Sequence, residues 1–161
     1  MIGEWASVLE ATALAQALRG SAWAYPLVNA GHILGAALLV GGIVPLDLRL
    51  LGLWRSLPLA PLWQVLTRTA AVGLLLAVIC GALLFSTRAA AYVHSPLFVS
   101  KMLLVAVGLV NAAALHLTGR RRWQDLPPTG SNIPMRLRIA AGVSLTAWLT
   151  ALVLGRLVGY F

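Results

Sequence analysis

The chain reads as an all-α integral membrane protein, a four-helix bundle preceded by an amphipathic helix on the membrane surface. Three observations lead there. Sixty per cent of the 161 residues are hydrophobic and only 10% are charged. A water-soluble domain carries about 25% charged residues, so this pool cannot furnish a water-facing surface. Four apolar runs are also long enough to span, since a hydrocarbon core of about 30 Å needs roughly 20 helical residues. Finally, the runs are continuous rather than alternating, which argues against the strands of a membrane barrel. The length suits one membrane domain over residues 1–161.

Residues 1–19 come first. Ile2, Trp5, Val8, Leu9 and Ala13 fall on one face at helical spacing, with Glu4 and Glu10 outside it. The pattern predicts a helix lying along the membrane surface. Those two glutamates stand where a secretory signal would be basic.

The spans follow at about 22–46, 66–87, 97–118 and 139–159. Tyr25-Pro26 opens the first span, and Gly41, Gly42 and Pro45 near its end are positions where it can bend. Pro58 and Pro61 punctuate the way into the second. Ser95-Pro96 reads as an N-cap and first-turn proline for the third. Gly119, Arg120-Arg121-Arg122 and Pro127-Pro128-Thr129-Gly130 end the third and form the longest loop. Trp23, Tyr25, Trp54, Trp63, Tyr92, Trp123 and Tyr160 sit at or near span ends like an aromatic belt, whereas Trp148 is mid-span.

In a soluble protein the net charge of +8 would point to nucleic acid. Here the basic residues lie in short loops, so they report topology. The loops after the first and third spans hold eight of the 12 lysines and arginines. The positive-inside rule then places both termini outside the cytoplasm. Cys80, the single cysteine, forms no intrachain disulfide and reads as a small core side chain.

Three histidines and a lysine are the candidate cofactor-binding residues: His32, His94, His116 and Lys101. His32 lies deep in the first span, one turn after Asn29, and polar groups in hydrocarbon are costly. Imidazole can ligate haem iron or copper, relay a proton, or hydrogen-bond a neighbouring helix. With a rise of 1.5 Å per residue, His32 and His116 differ in depth by about 16 Å, so they make a poor pair on one haem. His94 pairs with His32 only if its segment dips inward. A two-fold dimer instead brings His32 to His32 at equal depth, and Gly31 and Gly35 would ease the approach. His116 also reads as an interfacial histidine near a helix C-terminus, and His94 as a loop residue. Lys101 can snorkel to the interface or hold an anionic group such as a haem propionate. Asp47 and Arg49 are two residues apart and do not face each other on a helix. No acidic residue falls within the four spans as drawn, which argues against a carboxylate site for protons or cations. Motifs for hydrolases, phosphate loops, Cys-x-x-Cys-His and His-x-x-x-His are absent.

Ser21-Ala22-Trp23-Ala24-Tyr25-Pro26, His32-Ile33-Leu34-Gly35 and Asp47-Leu48-Arg49-Leu50-Leu51-Gly52 carry a resemblance to an uncharacterised bacterial family of small four-span integral membrane proteins. Ser95-Pro96-Leu97-Phe98 through Lys101-Met102-Leu103-Leu104 to Asn111 and His116 resembles the same group. That stretch also looks like the Phe-x-x-Lys and Asn pattern of copper-resistance D-type proteins; the similarity of the chain to those proteins and to four-helix b-type cytochromes is looser. The resemblance implies a histidine-based haem b or copper site at His32, with His94 or His116 as further candidates. Three functions stay open: haem-based electron transfer, handling of copper or another small solute, and a cofactor-free accessory subunit. The expected partners are the lipid bilayer and a second copy or membrane subunit, not nucleic acid.

Overall fold

The computed structural model describes residues 2–119 and 133–160. The 120–132 loop lies outside them, and with it Arg120, Arg121, Arg122 and Trp123; so does the side chain of His116. Seven helices follow in order: α1 Ile2–Glu10, α2 Ala13–Gly20, α3 Ala24–Leu51, α4 Leu59–Thr87, α5 Ala89–His94, α6 Pro96–Gly119 and α7 Met135–Leu157. No strand occurs among the described residues. Four helices (α3, α4, α6 and α7) are long and apolar enough to cross a membrane.

The close backbone contacts between long helices are α3 with α4, α3 with α7, and α6 with α7. The order across the bundle is therefore α4–α3–α7–α6. Among the described residues α4 and α6 meet only through side chains. Leu74 and Val105 share a cluster with Leu39, Ala70 and Trp148, and Phe85 stacks on Phe98 with ring centroids 5.5 Å apart.

The α3–α4 contact is close because it is built on small residues. Were Gly35 to carry a Cβ, that atom would lie 2.5 Å from the Ala77 backbone nitrogen and 2.8 Å from the Gly73 carbonyl oxygen. Gly42 presses in the same way against Leu66 and Ala70. Short side chains thus let two backbones touch, where dispersion rather than water exclusion holds helices together. On α7 the buried residues are Leu137, Ala141, Ser144, Ala147, Trp148 and Ala151, three to four apart save for the adjacent Ala147 and Trp148, which makes one stripe toward the interior. Of the described residues of α6 only Gly108 is buried, and it accommodates the ring of Trp148. The many exposed leucines, valines and isoleucines of the four long helices are what a lipid-facing surface requires.

α3 runs past the expected end of the first span. It passes through Pro45 without a break and stops at Gly52, whose φ of 113° is left-handed. The Gly52 and Leu53 amides donate to the Leu48 carbonyl, and the Gly52 amide also to that of Arg49. Such a close suits glycine, which has no Cβ to clash. The turn that follows is held from inside. Arg49, 1% exposed, donates from Nε to the Leu57 carbonyl at 3.0 Å and from Nη2 to the Arg55 carbonyl at 3.2 Å.

Residues 2–20 hold two helices, α1 and α2. Thr12 caps α2 by accepting from the Ala15 amide. The pair docks onto the bundle through Ala6, Ala15 and Leu18, which are buried, while Val8 stays exposed. Glu10 Oε1 accepts from the Ala90 amide at 2.8 Å. Arg19 donates to the Thr87 carbonyl at 3.2 Å and to the Glu10 carbonyl at 2.6 Å. Trp5 stacks on Phe85, which also stacks on Tyr92.

Candidate functional site

His32 projects from α3 toward α4. Its Nδ1 stands 2.8 Å from the Ala77 carbonyl oxygen. A carbonyl only accepts, so Nδ1 carries the hydrogen and, in a neutral ring, Nε2 keeps its lone pair. Ala77 is a helical residue whose oxygen has a second lone pair for this bond. Access depends on Gly81, one turn on, where an added Cβ would lie 3.0 Å from His32 Cε1. Cys80, buried, packs against Gly31 beside it.

Lys101 enters the same region from α6. Its Cε and Nζ lie 3.3 Å from where a Cβ on Gly155 of α7 would be, so a glycine makes room for the ammonium arm. The two side chains come within electrostatic range of each other. Lys101 is half-buried and forms no ion pair among the described residues. One imidazole and one ammonium therefore converge in the half of the bundle that carries the termini, beneath the stacked rings of Trp5, Phe85, Tyr92 and Phe98.

His94 is exposed at the C-terminal end of α5 and is not among the groups acting on His32. The side chain of His116 lies outside the described residues. Asn29, expected near His32, is exposed, whereas Asn111 donates from Nδ2 to the Ala140 carbonyl of α7 at 3.0 Å. Tyr92 is half-buried; burial and then the neighbouring Tyr25 hydroxyl push its phenol above the ordinary tyrosine range, with Arg88 pulling the other way. The Gly31/Gly35 face, drawn from sequence as an approach for a second copy, is covered by α4.

A second polar centre lies toward the opposite end. Asp47 was expected beyond the first span, in a chain without acidic residues in its spans. It belongs to α3 and is 4% exposed. Ser144 of α7 hydrogen-bonds it, and its Oδ2 has no partner among the described residues. The hint in the sequence is Gly52: as a helix-ending glycine it extends the first helix beyond Asp47. One turn along the α7 stripe, Trp148 Nε1 is also buried without an acceptor. No three His, Cys, Asp or Glu side chains gather as metal ligands among the described residues.

These features define a class, the all-helical multi-pass membrane protein with polar groups held between its spans. The chain matches no protein-family model, no curated protein and no solved structure.

Proposed function

We propose that this chain is a small haem b protein, or the haem-bearing subunit of a larger assembly, that passes electrons within a bacterial inner membrane, its termini on the non-cytoplasmic side. The observation that carries this reading is the 2.8 Å bond from His32 Nδ1 to the Ala77 carbonyl. Histidines that bind iron through one nitrogen nearly always donate the other N–H to a carbonyl or carboxylate, which fixes the ring and raises its basicity. His32 meets that requirement, with Nε2 as the ligating atom. Lys101, within electrostatic range, supplies the positive charge that an acidic haem substituent needs in a low-dielectric setting. Haem, when bound, supplies a one-electron couple. His32 would hold the iron through one imidazole nitrogen, and a second protein ligand would have to come from a second copy or a partner subunit.

The test is the absorption spectrum of the protein purified after haem-sufficient expression, oxidised and reduced, with metal analysis on the same samples. The wild type should show a Soret band that His32→Ala abolishes and His94→Ala preserves. A haem-free wild type would overturn the reading, and copper in place of iron would transfer His32 to copper handling. The cofactor-free alternative, an accessory subunit, draws on the same hydrogen bond, because a histidine tying α3 to α4 is a sufficient reason for it to be there.

A further inference from the structure

We propose that Asp47 and Ser144 form a binding site for one small cation, a proton or an alkali-metal ion, between α3 and α7. Asp47 is 4% exposed and Ser144 6% exposed. The Ser144 hydroxyl hydrogen-bonds the carboxyl group, and Oδ2 stays unpartnered among the described residues. A bare carboxylate in that position is costly, since the interior neither solvates it nor screens it. Proteins meet that cost with a donor, a countercharge or a bound cation. The donor is present at one side only.

Among the described residues no packed element supplies a countercharge. On α3 itself Arg49 is turned to the Leu57 and Arg55 carbonyls. Arg55 lies on Gly52, to whose carbonyl it donates at 3.1 Å. Arg68 on α4 and Arg136 and Arg138 on α7 are exposed. None of these acts on Asp47 electrostatically, and no ion pair to it forms among the described residues. The remaining neighbours at this end are apolar: Leu46, Leu50, Leu59 and Ala141, with Trp63, Leu66 and Ile133 around them. What completes Oδ2 is therefore a small positive ligand, with the Ser144 hydroxyl free to rotate and point a lone pair toward it. A buried carboxyl on a membrane helix is where proton- and ion-linked transitions are found. This site stands on α3 and α7 at the end remote from His32, and does not rest on the haem reading.

The experiment is infrared spectroscopy of the full-length protein in an ester-free detergent and a sodium-free buffer at neutral pH, with thermal unfolding on the same samples. The chain has four Asp and Glu side chains. A variant with Glu4→Gln, Glu10→Gln and Asp125→Asn leaves Asp47 as its only carboxyl side chain. If the occupant is a proton, this variant keeps a carboxylic-acid C=O band that shifts in heavy water and moves to another frequency with Ser144→Ala. If it is an alkali ion, the band is absent and sodium or potassium chloride raises the unfolding temperature more than choline chloride at equal ionic strength. Asp47→Asn then abolishes that excess, and Ser144→Ala reduces it should Asp47→Asn not fold. An absent band together with an identical response to all the salts overturns the proposal.

Discussion

Replacing Gly35 by alanine tests the close contact on which the His32 site rests. The added Cβ would lie 2.5 Å from the Ala77 nitrogen, 2.8 Å from the Gly73 oxygen and 2.9 Å from Ala77 Cα. Ordinary van der Waals contact starts at 3.4 Å, so α3 and α4 must part locally by about 0.9 Å. All three neighbours are backbone, so no side-chain rotation absorbs the strain. Overpacking costs about 1–3 kcal/mol, and rigid backbone neighbours put this case near the top of the range. Alanine's helix propensity returns about 1 kcal/mol, leaving a net loss of about 2 kcal/mol. Gly41 on the same helix is the control, because a Cβ there meets nothing within 4 Å; Gly41→Ala should gain up to about 1 kcal/mol. The assay is reversible unfolding of both variants in the same mixed micelles. The histidine ¹⁵N shifts of Gly35→Ala should also report a weakened Nδ1–H bond, since Ala77 is the residue displaced. Equal stability of the two variants would refute the packing argument.

Other consequences follow at the two ends of the bundle. Arg49→Ala strips the Arg55 and Leu57 carbonyls of a charged donor, and such bonds are worth about 1.5–3 kcal/mol each. The turn at residues 52–58 should then become the first site of limited proteolysis. Arg49→Lys should restore little, because an ammonium lacks the planar fork that reaches both acceptors. Glu10→Ala removes the acceptor of the Ala90 amide and should cost about 1 kcal/mol; exchange of that amide and of α1 should quicken, while Glu10→Gln keeps the wild-type rate. Tyr92 sets a pH dependence. Its phenol is raised in the folded protein, so the unfolded chain releases this proton first as pH climbs through the ordinary tyrosine range. Its contribution is intact below that range and is lost above it, and stability should fall with rising pH there. Tyr92→Phe should flatten that slope in unfolding measured against pH, and a slope unchanged by the substitution would assign it to other groups.

The spans were legible because hydrocarbon imposes length and composition together, and both are visible in a single sequence. The ends were less so. Hydropathy stops the first span at Leu46, since Asp47 and Arg49 read as water-facing, yet the helix continues to Leu51. Both charged residues turn inward, one to Ser144 and the other to the carbonyls of the following turn. Nothing local distinguishes a charge bound for water from one bound for a carbonyl six or eight residues away. The small-residue motif at Gly31 and Gly35 was legible as a contact surface, but not its mate. Gly73 and Ala77, in the same chain, are chemically as suitable as a second copy would be. That Lys101 lies within electrostatic range of His32 was hidden because hydropathy orders helices along the chain, not around a bundle.

The order α4–α3–α7–α6 makes α3 the organising helix, with neighbours on two sides, each meeting it through a different chemistry. Toward α4 it presents glycines and His32, and the contact is backbone against backbone with one imidazole bond. Toward α7 it presents Asp47, and the contact is a serine hydroxyl against a carboxyl group. The two polar residues are separated by about 22 Å of helix, beyond the reach of any direct interaction, with the Leu39–Ala70–Trp148 cluster between them. A conformational change that slid α3 relative to its neighbours would nonetheless disturb both at once, because neither bond tolerates a turn of displacement. Independent sites lose stability additively when mutated, within about 0.5 kcal/mol. A departure from additivity between His32→Ala and Asp47→Asn would therefore have to travel through α3 itself. That would make the helix a mechanical link between the terminal end of the bundle and its opposite end.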